Sequence, residues 1–212
     1  MRAHHLIILI IILFLVGTTF ADVIPVVPGQ SIQDAVDAAN AGDIIEVHSG
    51  YYYENVNVTK PLVLRGMGVP VVDAMKRGCT ITLSVAGISI EGFTAINSSR
   101  DQAGINVTSC CNKIRGNAIK ENQGNGIHLW AKKNNSIEGN TCSRNGGDVI
   151  GLWGCDDNRI KGNTLIENNG TGIFGRCGNS SIIGNSIRLN NGSGITLLNR
   201  PFFESPAILD IL

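Results

Sequence analysis

The sequence contains few aromatic residues, few histidines and methionines, and no excess of either charge. Phe, Trp and Tyr make up 5% of the 212 residues, and there are four histidines and three methionines. Lys and Arg together number 17, as do Asp and Glu. Without a basic surplus the chain lacks the long-range field that draws proteins to nucleic acid, so no nucleic-acid partner is expected. His and Met are ligands of copper and other soft metals, and their scarcity disfavours such a site. No metal and no other cofactor is expected.

Long apolar runs are also scarce, and the most prominent one lies near the first residue. The run Leu6–Val16 follows a basic start and precedes Thr19 and Ala21, small residues at the two positions that a signal peptidase reads. This order predicts a secretory signal peptide at residues 1–21. A membrane span needs about 20 apolar residues, so the alternative is an uncleaved anchor of unusual shortness. Membrane contact is expected only through this segment, if it is not cleaved.

The second half of the chain is a four-fold repeat. Its first block ends in Gly-Asn, and the four glycines step by 23, 23 and 22 residues: Gly116, Gly139, Gly162 and Gly184. A second block follows in phase at Gly126–Leu129, Val149–Leu152, Gly172–Gly175 and Gly194–Leu197. A constant period of this size is typical of a solenoid, in which each turn buries its apolar face against its neighbours. The repeat predicts an all-β solenoid of about seven turns.

The phase of the repeat assigns residues to columns. Three inward apolar columns are predicted: Ile114, Ile137, Ile160 and Ile182; Ile119, Cys142, Leu165 and Ile187; Ile127, Ile150, Ile173 and Ile195. Two asparagine columns are predicted at bends: Asn117, Asn140, Asn163 and Asn185; Asn122, Asn145, Asn168 and Asn190. Asparagine tolerates the left-handed backbone of a bend, and its amide can bond the copy on the next turn. We therefore interpret these asparagines as structural ladders rather than ligands.

The segments before and after the repeat have different patterns. Ser31 can cap a helix, and apolar residues at helical spacing predict one amphipathic helix over residues 31–40 that covers the open end of the stack. Ile44–Val47 is predicted as the first strand. The tail either folds over the other end or belongs to a longer surface protein. The expected divisions are a signal peptide at 1–21, an N-terminal cap at 22–43, a β-helix at 44–199 and a tail or cap at 200–212.

The repeat resembles that of the right-handed parallel β-helix family, specifically NosD-like proteins and the carbohydrate-binding and sugar-hydrolase (CASH) domains. Val26–Asp73, which includes Pro-Gly-Gln-Ser-Ile-Gln-Asp-Ala-Val, is similar to the amino-terminal cap of exported archaeal and bacterial members. The resemblance extends to about residue 199. It implies a right-handed parallel β-helix of the pectin-lyase-like kind and leaves the activity open, since such folds host lyases, hydrolases, binding proteins and structural rods.

The NosD-like resemblance also raises the question of copper. Beyond the signal peptide the chain has two histidines, His48 and His128, and two methionines, Met67 and Met75, which are widely spaced in sequence. Copper sites draw on His, Met and Cys. No His/Met cluster is apparent, so the sequence does not favour a copper site.

Pectin-degrading relatives use clustered carboxylates, as calcium ligands or as an acid pair. Here the phase places Glu138 between Arg115 and Lys161, a neighbour pattern typical of a stabilising charge ladder. Asp148 is the exception, because no cation shares its column. One unpaired acid does not make a hydrolase, so no catalytic residue is assigned and a non-catalytic role is favoured.

The two tryptophans of the chain are the strongest candidates for a binding site. Ile127 and Leu129 point inward, so His128 and Trp130 point outward, and Trp153 shares the column of Trp130. The candidate carbohydrate contacts are Trp130, Trp153, Phe174, His128, Arg176 and Asp148. Exposed indoles in register can stack against sugar rings. The alternatives are that a loop packs over them or that they form a subunit contact.

Cysteines and sequons both fit an exported chain. Cys155 and Cys177 are 22 residues apart, one turn, so their Cα atoms are expected within disulfide range, and we predict a disulfide between them. Cys142 lies in an inward column and is interpreted as core filling. Seven Asn-x-Ser/Thr sequons fit a solvent-facing surface: Asn57, Asn97, Asn106, Asn134, Asn169, Asn179 and Asn191.

These observations favour an exported or cell-surface module that is not an enzyme and presents a flat face to its partner. The expected partner is a polysaccharide or a cell-envelope glycan. One alternative is a polysaccharide lyase or glycoside hydrolase of the same fold, and the other is a purely structural envelope protein.

Overall fold

Short strands separated by Gly and Asn form three parallel sheets in the computed structural model, which describes residues 21–198. Sheet 1 contains β1 (Val23–Val26), β2 (Ile44–His48), β5 (Val63–Met67), β8 (Ser89–Glu91), β11 (Lys113–Arg115), β14 (Ser136–Glu138), β17 (Arg159–Lys161) and β20 (Ser181–Ile183). Sheet 2 contains β3 (Tyr51–Tyr52), β6 (Val71–Asp73), β9 (Thr94–Ile96), β12 (Ala118–Lys120), β15 (Thr141–Ser143), β18 (Thr164–Ile166) and β21 (Ser186–Arg188). Sheet 3 contains β4 (Val56–Val58), β7 (Ile81–Leu83), β10 (Ala103–Val107), β13 (Asn125–Trp130), β16 (Ile150–Asp156), β19 (Ile173–Gly178) and β22 (Ile195–Leu197).

The chain visits the three sheets in turn and coils as a right-handed parallel β-helix, as the sequence predicts. In each sheet a strand pairs with the strand one turn earlier and the strand one turn later. Sheet 1 has eight strands and the other two have seven, so the stack holds seven full turns and one additional strand.

All three predicted apolar columns are in register and point into the helix. Ile114 pairs with Ile137, Ile119 with Cys142, and Ile127 with Ile150, and these residues are fully buried. Each buried aliphatic side chain stabilises the fold by about 1.5–3 kcal/mol relative to an exposed one. The repeated Ile columns therefore supply the core of the regular turns, and buried Val, Leu and Ile side chains continue it toward the N-terminal cap.

Every regular turn has three corners, and across residues 111–168 each corner contains a residue with positive φ directly before a buried asparagine. These left-handed residues include Gly116, Gly139 and Gly162 at the first corner, Glu121, Arg144 and Glu167 at the second, and Cys111, Asn134 and Asp157 at the third. The expectation that the ladder asparagines themselves adopt this backbone is wrong. The preceding residue makes the bend, which leaves the asparagine side chain free to point inward.

The buried asparagines connect successive turns through both ends of the amide. Asn140 Oδ1 accepts from the backbone N–H of Asn117 at 3.0 Å and from Asn117 Nδ2 at 3.1 Å, while Asn140 Nδ2 donates to the Ile114 carbonyl at 2.8 Å. The two predicted ladders are confirmed in this arrangement. A third ladder, which the sequence analysis missed, runs through Asn112, Asn135 and Asn158 and ends at Ser180.

The N-terminal cap is held by charges from the first turn. α1 (Ile32–Ala38) begins after Ser31, whose Oγ accepts from the Asp34 N–H at 3.1 Å. The Glu54 carboxylate accepts from the first two helical N–H groups at 2.8 and 3.0 Å. Lys60 Nζ donates to carbonyls at the end of the helix at 2.6 and 2.7 Å. The negative Glu54 lies at the positive end of the helix dipole and the positive Lys60 lies at its negative end. Both interactions are favourable and hold the helix over the end of the stack.

The first strand lies earlier than expected. β1 pairs with β2 over four residues, so sheet 1 begins at Val23 and not at Ile44. The two prolines near β1 conceal it in the sequence, but an edge strand tolerates proline because one of its sides has no partner. The predicted signal peptide and the predicted tail lie outside the described residues, except for Ala21. Within residues 21–198 no helix combines the length and apolarity required to cross a membrane.

Candidate functional site

The outward side of sheet 3 carries the two tryptophans in one column. Trp130 is in register with Trp153, and Trp153 with Arg176. The indole centroids are 6.1 Å apart and the ring planes differ by 18°, so the rings stack from one turn to the next. Trp130 is 62% exposed. The parallel strands fix this arrangement, because residues in register repeat at the strand spacing of about 4.8 Å.

The neighbouring column extends the aromatic surface. His128, Gly151 and Phe174 are in register, and a Cβ at Gly151 would lie 3.4 Å from His128 Cδ2 and 3.7 Å from Trp153 Nε1. The missing side chain lets the His128 and Trp153 rings close over the backbone. The Trp153 and Phe174 centroids are 4.7 Å apart, and those of His128 and Trp130 are 6.4 Å apart. We call His128, Trp130, Trp153 and Phe174 the aromatic row.

A groove of about 470 Å³ lies at the Trp130 end of the aromatic row. Its lining includes His128 and Trp130 of the row, together with the polar side chains of Asp101, Gln102, Asn106, Thr108, Asn125 and Lys132. Its volume lies within the range of about 300–1,000 Å³ that is typical of ligand pockets. Most of its lining side chains are polar, and Trp130 supplies the aromatic wall.

The polar members of the predicted site have different surroundings. Burial lowers the pKa of His128, and the nearby Asp148 carboxylate opposes this by raising it. The ring of His128 is therefore neutral at neutral pH and can both donate and accept a hydrogen bond. Asp148 Oδ1 accepts from the Thr171 N–H at 3.1 Å, so this acid also connects two turns.

Five of the six predicted contacts are contiguous, and the sixth lies at their margin. The aromatic row and the exposed Arg176 share one face, whereas Asp148 precedes β16 and bonds the backbone. The sequence analysis missed the groove residues Asp101, Gln102, Asn106, Asn125 and Lys132. Asn106 could have been found from the repeat, because it is in register with His128, while Asp101, Gln102 and Lys132 lie in loops whose course the period does not fix.

The outward side of sheet 1 carries an ion-pair ladder instead of aromatic rings. Arg65 bonds Glu46 at 3.1 Å and Glu91 at 3.2 Å, and Arg115 bonds Glu91 at 2.7 Å. Hydrogen bonds from Arg115 and Arg65 lower the pKa of Glu91. A general acid needs a raised pKa, so this carboxylate is suited to charge pairing and not to proton donation.

Glu138 and Glu121 follow the same pattern with one change of partner. Glu138 is in register with Arg115 and Lys161 as predicted, but its ion pair is with Arg159, at 2.9 Å. Arg159 is two residues from Lys161 and reaches the acid diagonally. The pKa of Glu138 is lowered, first by the Ser136 hydroxyl, and that of Glu121 by Arg144.

The cysteines of the predicted disulfide lie on adjacent turns near the row. Cys155 is buried and Cys177 packs against the same core. The register shifts between Trp153 and Asp156, where β16 holds one more residue than β19. The disulfide itself stays a prediction. Cys142 is fully buried, as expected for core filling, and burial raises its pKa to about 12.

The fold and this surface define a parallel β-helix protein with an aromatic row on one sheet. Residues 37–201 match the family described as periplasmic copper-binding protein (NosD), and the chain belongs to this family. It is 37% identical to a cell surface glycoprotein of Methanothermus fervidus over 82 residues. This match covers 37% of this chain and 14% of the relative. The chain thus spans a small part of that relative's length.

Two solved structures are similar to the chain over most of its length. Pectate lyase Pel9A has a TM-score of 0.71 at 16% identity, over 90% of this chain and 57% of that chain. The A-module of mannuronan C-5 epimerase AlgE4 from Azotobacter vinelandii has a TM-score of 0.71 at 17% identity, over 85% of this chain and 58% of that chain. At such identities the likeness shows the fold alone.

The family description mentions copper, and the described residues do not fit such a site. Across residues 21–198 no group of three or more His, Cys, Asp or Glu side chains is arranged to hold a metal ion. His48 is in register with the exposed Met67 on sheet 1, which gives two donors, while His128 lies on sheet 3. A transition-metal site normally has three or four protein ligands, so this pair is incomplete.

Proposed function

We propose that the chain is an exported, non-catalytic β-helix module of the cell surface that binds a polysaccharide or cell-envelope glycan through the aromatic row. The observation that carries the proposal is the stacking of the two indoles, 6.1 Å apart, on an open face with Trp130 62% exposed. Exposed aromatic rings in register are unnecessary for a fold whose core consists of inward Ile and Leu columns. A binding role gives them a reason.

The chemistry of the row suits a sugar chain. A pyranose ring has an apolar C–H face and polar edges, so it can cover an indole while its hydroxyl groups reach hydrogen-bonding side chains. Covering apolar surface contributes about 25 cal/mol per Å². Asn125, Lys132 and the neutral His128 line the adjoining groove and supply donors and acceptors for the hydroxyls.

The state of three surface glutamates favours binding over catalysis. Glu91, Glu121 and Glu138 have lowered pKa values and arginine partners, which suits a structural ladder. The alternative is a lyase or hydrolase, and it draws on the shared fold with a pectate lyase and a mannuronan epimerase. Incubation with polyuronates, followed by detection of unsaturated or shortened products, tests this alternative directly.

The exported location is supported by three observations. The family description refers to the periplasm, the relative from Methanothermus fervidus is described as a cell surface glycoprotein, and residues 1–21 have the order of a signal peptide. A purely structural envelope protein would share this location, so the binding measurement separates the two roles.

A glycan array with matched aromatic variants tests the proposal. The test variant is Trp130→Ala/Trp153→Ala. The control is Tyr51→Ala/Tyr53→Ala, because these exposed tyrosines also stack at 6.1 Å, at the first turn and far from the row. We expect the tryptophan variant to lose at least 10-fold in affinity, equivalent to about 1.4 kcal/mol, and the tyrosine variant to bind normally. Equal binding by all three proteins, or no binding by any, would remove the proposal.

A further inference from the structure

One of the seven sequons lies within the candidate binding surface. Asn106 is on β10, points outward in register with His128, and lines the groove together with Trp130. The sequon is completed by Thr108, which lines the same groove. The other sequon asparagines do not line this groove.

The geometry points to N-glycosylation of Asn106 as a gate on the aromatic row. We propose that a glycan attached there occupies the groove and excludes external sugar from Trp130. This inference rests on the proposed function, because it assigns a regulator to the same surface. The occupant is the sugar that this chain itself carries.

The side-chain amide of Asn106 is available for modification. Among the hydrogen bonds of residues 21–198, none involves this amide, whereas Asn57 in the same column accepts from Ser84 Oγ at 2.5 Å. The buried asparagines of the first and third corners are not in sequons for a structural reason. Two residues after Asn112 or Asn117 comes an inward isoleucine of the core, so Ser or Thr cannot stand there without entering the core.

The reach from Asn106 to Trp130 is short enough for one sugar ring. Trp130 lies one strand away and two residues further along, so the Cα atoms are separated by about 8 Å, from a strand spacing of about 4.8 Å and a rise of about 3.3 Å per residue. The first sugar ring begins one bond beyond Nδ2 and extends along the groove, where its apolar face can contact the indole.

The modification requires a co-reactant, a glycan carried on a lipid phosphate. A bond forms between Asn106 Nδ2 and the anomeric carbon of the glycan, and the bond from that carbon to the phosphate oxygen breaks. The electron pair stays on the phosphate, which leaves with the lipid, and one amide proton passes to solvent. No oxidation or reduction takes place.

Tethering makes even a weak sugar contact effective. A ligand on a short linker has an effective concentration in the millimolar range. It therefore competes with external sugar when the dissociation constants of both sugars are in the millimolar range. The glycosylated protein should therefore bind external glycan about 3- to 10-fold more weakly than the unmodified protein.

The test compares full-length protein from a host that transfers glycans to Asn-x-Ser/Thr with the variants Asn106→Gln and Thr108→Val. Thr108→Val removes the sequon and keeps the amide. The control is Asn57→Gln, which lies two strands further from Trp130. The probe is the best glycan found on the array, and glycopeptide mass spectrometry reports occupancy at Asn106. We expect a glycan on Asn106 in the wild type. Both test variants should bind the probe about 3- to 10-fold more tightly than the wild type, and Asn57→Gln should bind it as the wild type does.

Tryptophan fluorescence is a second measurement, which tests the glycan on Asn106 separately from the proposed binding function. Both tryptophans of the chain are in the aromatic row, so their fluorescence reports on this surface. Loss of the Asn106 glycan should increase quenching by acrylamide, while Asn57→Gln should leave it unchanged. An unmodified Asn106, or quenching that is the same with and without the glycan, would overturn the gate. If quenching changes but no external glycan binds, the glycan attached to Asn106 does contact the aromatic row, and only the proposed function is contradicted.

Discussion

Sheets 1 and 3 rest on the same kind of core and present opposite chemistry to solvent. Sheet 1 carries an alternating column of acids and arginines in which Glu91 is shared by Arg65 and Arg115. Sheet 3 carries stacked aromatic rings beside a polar groove. The outward column of sheet 1 is satisfied by partners within the chain, whereas the Trp130 face remains open. This difference is the reason why we propose that an external partner binds at sheet 3.

The largest expected effect comes from the ladders that both faces share. Asn140→Ala removes the acceptor for the Asn117 N–H and the donor for the Ile114 carbonyl, both buried. Each unsatisfied buried group costs about 1–3 kcal/mol, so we expect a loss of about 4 kcal/mol in the free energy of unfolding. Urea titration followed by circular dichroism measures it. Asn169→Ala, at an exposed position, is the control and should cost below about 1 kcal/mol. Similar losses in both variants would contradict the ladder account.

The next effect concerns the predicted disulfide near the aromatic row. If Cys155 and Cys177 are joined, the bridge closes a loop of 22 residues and contributes about 3 kcal/mol. Cys177→Ser should then lower the free energy of unfolding by that amount in protein folded under oxidising conditions, and by much less in reductant. Mass spectrometry of a non-reduced digest identifies the bridge. Two free thiols in that digest would refute the pairing.

A smaller effect is expected from the charge ladder of sheet 1. Arg65→Glu places three acids next to one another, which should lower the free energy of unfolding at low salt by less than loss of the disulfide does. Because these side chains are partly exposed, salt should reduce the loss substantially. Arg65→Ala, which only removes the partner, should cost less than Arg65→Glu. A loss that is independent of salt would indicate a packing role instead.

The smallest effect is the pH dependence that His128 contributes. Its pKa is lowered in the folded protein, so below pH about 6.5 the unfolded chain takes up the proton first. Stability should be complete at neutral pH and should decrease as the pH falls through that region. His128→Gln should reduce this dependence, whereas His48→Gln on sheet 1 should retain it. Identical pH profiles for wild type and His128→Gln would contradict the burial argument.

Much of the fold is predictable because the interior repeats with the period of the chain. The columns of Ile114, Ile127 and Asn117, the adjacency of Trp130 and Trp153, and the helix start at Ser31 all follow from spacing. Features set by contacts between distant segments do not follow. Glu54 and Lys60 fix α1 from more than 20 residues away, and the groove depends on loop residues outside the repeat. The extra residue in β16 also breaks the period locally.

A fluorescence titration tests the central claim most directly, because both tryptophans of the chain lie in the aromatic row. Addition of a glycan bound by the protein should shift the tryptophan emission to shorter wavelength and protect it from acrylamide, with saturation at the same concentration as binding. Saturable binding that leaves both the emission and the quenching unchanged would show that the partner contacts another face, and would contradict the account.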